Sequence, residues 1–154
     1  MDKPRREDRT INKDEARELL ERAEYGILST VGADGLPYGI PVSYCVIGDD
    51  IYFHCAVEGR KLDNIAHNPQ VSFCVVGATD VLPDKFSTKY ESTVVSGTAS
   101  EVFAEEKQQG LEGLLHKYSV GFYEKGLKYI EALDHKTKVY RVHIESMSGK
   151  ARRN

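Results

Sequence analysis

Three β-rich runs lie between Gly26 and Ala56, and only turn-forming residues separate them. Gly26 to Val31 is strand-like, and Gly32-Ala33-Asp34-Gly35 is turn chemistry. Leu36 to Ile47 is a second run, interrupted by Pro37, Gly39 and Pro41. Gly48-Asp49-Asp50 then turns the chain into Ile51-Tyr52-Phe53-His54-Cys55-Ala56. Connections this short join only antiparallel neighbours, because a parallel pair needs a long crossover. A doubly wound parallel fold is thereby disfavoured, and the prolines of the second run predict a bent or edge strand.

The flanking segments fit the same plan. Asn12 followed by Glu15 reads as a capping box, and Ala16, Leu19, Leu20 and Ala23 recur on one helical face that Gly26 would stop. A short helix is expected over 58–67, where Leu62, Ile65 and Ala66 share a face and Pro69 forbids continuation. Val71 to Val76 resumes a β pattern, Gly77 to Lys89 reads as a loop, and Tyr90 to Phe103 as a long strand with Gly97 as a bulge or bend. Helices follow over 104–118 and 123–133, and Lys138 to Ile144 closes the β set. The expected fold is mainly β with helical insertions, a roughly six-stranded antiparallel barrel, closed or split. One domain over residues 1–154 is expected, with a charged arm at 1–10 and a basic tail at 146–154 that is either solvated or folded over an anionic ligand.

Charge narrows the function classes. The chain carries 21 Lys and Arg against 24 Asp and Glu, a formal net charge of -3, which disfavours nucleic-acid binding through a bulk positive field. No apolar run is long enough to cross a membrane, and Met1 to Arg9 lacks the apolar stretch of a secretory signal. Three cysteines without CxxC spacing suggest neither a disulfide framework nor a zinc knuckle. The expectation is a cytoplasmic protein without a metal site, since His67, His116, His135 and His143 also lack ligand spacing.

The most informative stretch runs from Tyr52 to Ile65, where a strand leads through Gly59 into a helix whose first turn holds Arg60 and Lys61. Unpaired N–H groups at a helix start favour an anion, and the two cations would add to that field. The other reading is a solvated basic pair. His54 and Phe53 point to opposite sides of their strand, so His54 is either a structural residue or a group at a cleft. Cys55 is either a small buried hydrophobe or a thiol activated by nearby cations. Lys89, Tyr90, Glu91 and Ser92 put a cation, an aromatic ring, a carboxylate and a hydroxyl in a row at the expected strand start. No GxGxxG, P-loop or GxSxG motif is present.

These residues also carry a resemblance. Residues 23–30, 34–44 and 51–56, with Gly59-Arg60-Lys61 and Asn68 to Phe73, resemble the flavin-binding split-barrel proteins related to pyridoxamine 5'-phosphate oxidase. Within them the chain is most similar to the nitroimidazole-resistance branch. The resemblance implies a six-stranded split barrel that forms a homodimer with FMN in clefts at the subunit interface. It implies that Arg60 and Lys61 grip the flavin phosphate, that His54 and Cys55 lie along the flavin, and that Pro41, Val42 and Ser43 border its ring. Tyr90, Glu91 and Ser92 match a strand start lining the same site, and His54 is the candidate catalytic residue. The implied activity is electron transfer from a nicotinamide donor through FMN to a small acceptor such as a nitro compound. A haem or flavin carrier without turnover, and deazaflavin chemistry, are the alternatives on this scaffold. Oxidation of the vitamin B6 phosphates themselves is not expected, because the family's C-terminal Trp and Arg-Leu pair have no counterpart here.

Overall fold

A computed structural model of the chain describes residues 3–154. A two-residue strand, β1 (Thr10–Ile11), precedes helix α1 (Lys13–Arg22). Asn12 caps α1, its side-chain oxygen accepting the Glu15 N–H at 2.8 Å, while the Glu15 carboxylate accepts from the Asn12 amide rather than from the Asn12 backbone. The helix ends at Arg22 with Ala23 already extended, so Gly26 does not stop it. Gly26 instead opens β2 (Gly26–Val31), where a Cβ would collide with the Phe73 ring.

The second β-rich run is two strands rather than one: β3 (Pro37–Val42) and β4 (Cys45–Ile47). After β5 (Asp50–Cys55), α2 (Arg60–His67) and β6 (Gln70–Val76), the sheet is completed by β8 (Ser87–Val102) and β9 (Lys138–Arg152). Its order is β3-β2-β6-β8-β9-β5-β4. All pairings are antiparallel. β3 and β4, joined only by Ser43 and Tyr44, end up at opposite ends of that order, so the sheet curls on itself without closing. The prolines of β3 fit this place, since an edge strand has a side on which missing N–H donors cost nothing.

Two further expectations are corrected. The 77–89 segment is not all loop: β7 (Asp80–Leu82) pairs with the start of β8 around a 3-10 turn at Pro83–Lys85. The basic tail is not solvated coil. Lys150 pairs with Ser92 and Thr10, and Arg152 with Tyr90, so β9 runs eight residues past Ile144. These residues carry few apolar side chains, and the β9 backbone ladder to β8 and β1 holds them instead. The Gly97 bulge is present, as a register shift between Ser96 and Gly97.

One core cluster fills the inside of the curl, with Leu28, Phe53, Phe73, Val95 and Val142 fully buried beside Leu19 and Leu20 of α1. Helices α3 (Ala104–Tyr118) and α4 (Tyr123–Leu133) match their expected ranges. They build a second cluster in which Leu111, Leu114 and Ile130 pack on Tyr52, Val102 and Val139.

Tyr44 fastens the split. Its ring is fully buried, edge-on to Phe73 at 4.7 Å between centroids, and its hydroxyl donates to the Leu20 carbonyl. Its backbone N–H donates to the Tyr118 hydroxyl at 3.1 Å, and that hydroxyl in turn donates to the Glu24 carbonyl at 2.6 Å. A single aromatic anchor thus ties the β3–β4 link to α1, to β6 and to the end of α3.

Candidate functional site

The first turn of α2 is open to a ligand. Gly59 holds the N-cap position at φ +151, a conformation that favours glycine, and no side chain caps the helix. The N–H groups of the first turn therefore face outward with Arg60 and Lys61 beside them. The Arg60 guanidinium carbon lies 4.4 Å from the centroid of the Tyr38 ring, which holds the exposed cation against β3. Asn64 anchors the other side of the helix: its buried amide donates to the Thr30 hydroxyl on β2 at 3.0 Å.

His54 sits on β5, just before this turn, with its side chain exposed while Phe53 and Cys55 face the core. Its surface lies in a concavity, so the ring is partly desolvated, and this together with the Lys61 charge holds its pKa below the ordinary value. The dependence on Lys61 puts the α2 turn and His54 within one electrostatic neighbourhood. Cys55 is buried, and burial raises its pKa more strongly than Lys61 and Lys138 lower it. It is a packing residue and not an activated thiol.

His54 and Ser43 open onto a cavity of about 440 Å³ between the β3–β4 link, β5, α3 and α4. Leu111, Leu114, Leu133 and Ile130 form its apolar floor, and Tyr118 and Tyr129 stand at its sides. Sequence reasoning missed this cavity. The Leu111, Leu114 and Leu115 face was visible as helical periodicity, but nothing in the spacing announces that α4 stands off far enough to leave a space.

Pro41 and Val42 end β3, and Ser43 follows in the link outside any strand, so these three lead directly to the cavity mouth. Tyr90, Glu91 and Ser92 lie elsewhere. They pair with Arg152, Ala151 and Lys150, whereas His54 pairs with Val139. Glu91 and His54 thus face β9 positions twelve residues apart, on the order of 40 Å of strand path. Tyr90 and Glu91 line a separate depression of about 280 Å³ with Lys89, Arg152 and Arg153. Glu91 is held there by Arg22 at 2.8 Å. The chain therefore assembles Ser43, His54, Arg60 and Lys61 into one region and keeps Tyr90 to Ser92 at the far end of the sheet.

Among the described residues, no three His, Cys, Asp or Glu side chains converge as a metal site. No helix among them is long and apolar enough to cross a membrane.

An open antiparallel barrel with a helix start and a cavity at its split edge defines a split-barrel protein. A family model described as pyridoxamine 5'-phosphate oxidase matches residues 12–151, and the chain belongs to that family. The 5a,11a-dehydrotetracycline/5a,11a-dehydrooxytetracycline reductase of Streptomyces rimosus is 33% identical over 84 residues, covering 52% of this chain and 56% of the relative. The match thus spans little more than half of that reductase. A Bacteroides thetaiotaomicron protein, provisionally described as conferring 5-nitroimidazole antibiotic resistance, superposes with a TM-score of 0.75 at 20% identity, covering 92% of this chain and 85% of the other. An FAD-binding protein of Mesorhizobium loti superposes with a TM-score of 0.69 at 25% identity, covering 94% of this chain and 98% of the other.

Proposed function

We propose that the protein is an FMN-dependent oxidoreductase that acts as a homodimer and passes electrons from a nicotinamide donor to a small acceptor such as a nitro compound. The observation that carries this reading is the uncapped first turn of α2, with Arg60 and Lys61, beside the cavity that His54 and Ser43 share. A phosphate-bearing planar cofactor fits that donor set. The dianion meets N–H groups, a guanidinium and an ammonium, and an apolar ring system meets the Pro41–Ser43 backbone and the cavity edge. The FAD-binding relative and the dehydrotetracycline reductase support flavin or flavin-like redox chemistry.

Bound FMN would supply two-electron chemistry, and the chain supplies position and charge. Arg60 and Lys61 hold the phosphate. Pro41 offers no N–H and the Val42 amide faces Gly26 in the β2–β3 ladder, which leaves the Ser43 amide as the backbone donor along the ring edge. His54, whose pKa is held below the ordinary value by partial desolvation and by Lys61, is neutral at neutral pH and orients the acceptor through a hydrogen bond from a ring N–H.

One face of the sheet suits the dimer that this reading includes. The outer face of β3, β2, β6, β8 and β9 presents Gly39, Ser29, Ser72, Ser96 and Ser146 in register as one row, with Ile27, Cys74 and Val94 in the next. Side chains this small allow two sheets to approach closely, and Ile27 on this face is exposed. A twofold dimer is also the route by which Tyr90, Glu91 and Ser92 of one copy could reach the α2 turn of the other.

The ultraviolet-visible spectrum of the purified protein, before and after addition of FMN, tests the cofactor. Flavin bands, together with a loss of roughly 2 kcal/mol of FMN affinity in Arg60→Ala, are expected. A Soret band would favour the haem carrier, and failure to take up any flavin would remove Arg60 and Lys61 from a phosphate site.

A further inference from the structure

We infer that the α3–α4 cavity is the acceptor pocket of this protein and that it selects a neutral, largely apolar ring compound over an anionic one. The inference rests on the flavin reading for its chemistry, but the cavity and its lining stand apart from that reading.

Its size is the first argument: about 440 Å³ falls in the range that encloses a small ring compound, and it is too large to be a packing defect. Its lining is the second. Leucines, Ile130 and two tyrosines make the walls, and no Lys, Arg, Asp or Glu is among the lining residues. The Tyr118 hydroxyl is already engaged by the Tyr44 amide and the Glu24 carbonyl, so Tyr118 gives the cavity its ring and not a donor. Lys117 is not among the lining residues either: its buried ammonium lies 3.7 Å from the Tyr44 ring centroid and 5.3 Å from that of Tyr118, which itself lines the cavity.

The polar groups that do face the cavity, the Tyr129 hydroxyl among them, are neutral. Ser43, Ser119, Thr137 and His54 line it, and none of their side chains has a hydrogen-bond partner within the described chain. An acceptor could place its apolar ring against Leu114 and Ile130 and turn a nitro or carbonyl oxygen toward Ser43 and His54. A carboxylate or phosphate on the same ring would enter a wall with no counter-charge, and desolvation would oppose it. The cations that could receive such a group, Arg60 and Lys61, stand on the α2 side and are committed to the cofactor in the proposed reading.

Equilibrium dialysis against 4-nitrobenzyl alcohol and 4-nitrobenzoate tests this, since the two differ mainly in charge. It is done on the full-length protein as purified and after FMN loading. The alcohol is expected to bind at least tenfold more tightly than the benzoate. Leu133→Trp, which fills the cavity from a half-buried position, should weaken the alcohol at least tenfold. Thr137→Lys, which brings a cation into the lining, should narrow or invert the preference. Equal binding of the two compounds, uptake of neither, or an unchanged alcohol affinity in a folded Leu133→Trp protein would overturn the inference. FMN affinity, measured on the same proteins by flavin fluorescence, separates the two readings. Neutral-selective uptake without FMN binding sinks the flavin reading and keeps the pocket, and FMN binding without charge selection does the reverse.

Discussion

The guanidinium of Arg60 stacks on the ring of Tyr38, 4.4 Å from its centroid, and so fixes the first turn of α2 to β3. In the proposed reading Tyr38 is thereby a positioning residue for the cation that would hold the phosphate. Tyr38→Ser should cost about 0.5–1 kcal/mol of FMN affinity, the worth of an exposed cation–π contact, while Tyr38→Phe retains it. Flavin fluorescence titrations of the two variants check this, and equal weakening in both would show that the stacking does not position Arg60.

Lys117 carries a buried ammonium with no hydrogen-bond partner, and its pKa is pulled down to about 8 by burial, with Cys45 partly opposing the shift. The Tyr44 ring face is its main compensation. Replacing it with an apolar side chain of similar length should stabilise the fold, so Lys117→Met is expected to raise stability by about 1 kcal/mol at pH 7, or roughly 2–4 °C in Tm. The sign of the pH dependence follows from linkage. Below about pH 8 both folded and unfolded chains hold the proton, and the gap to the variant is constant. Between about 8 and the ordinary lysine value of 10.5 only the unfolded chain holds it, so the wild-type protein gains stability with pH and the gap closes. Thermal melts of both proteins across that window measure it.

Asn64 joins α2 to β2 through Thr30, and both side chains are buried. Asn64→Leu leaves the Thr30 hydroxyl with only a long contact of 3.5 Å to the Tyr38 carbonyl. A loss of about 1–3 kcal/mol is expected, together with weaker FMN binding as α2 loosens. Urea unfolding and flavin titration should move together, and a change in stability alone would confine Asn64 to a structural role.

At the bulge, a Cβ on Gly97 would collide with the backbone oxygen of His143 and stand 2.9 Å from Val142. β8 and β9 cannot separate locally because their ladder continues on both sides. Gly97→Ala should therefore cost about 3 kcal/mol, read as a lower urea midpoint with an unchanged slope.

Much of this protein was legible in its sequence because local physics sufficed. The Asn12 cap, the α3 and α4 ranges, the Gly97 bulge and the cationic start of α2 follow from periodicity, turn chemistry and charge at short range. Pro37 and Pro41 marked an edge strand for the same reason. The splitting of the second run was not legible, because Ser43 and Tyr44 send the chain to the far end of the sheet through contacts of Tyr44 with Leu20, Phe73 and Tyr118, all distant in sequence. The strand at 138–152 was underestimated likewise, since Ser146 to Arg152 have little apolar pattern and are held by backbone pairing to β8.

The candidate site divides along the same line. Sequence alone determined that Arg60 and Lys61 open a helix after a strand bearing His54, because residue type and spacing decide where a helix start and its charge fall. Only the tertiary structure decided that Cys55 faces the core, that Tyr90 to Ser92 lie far from the basic pair within one chain, and that a neutral cavity adjoins His54. Those facts depend on strand register and on how α4 docks against α3, and packing across long sequence separations sets both.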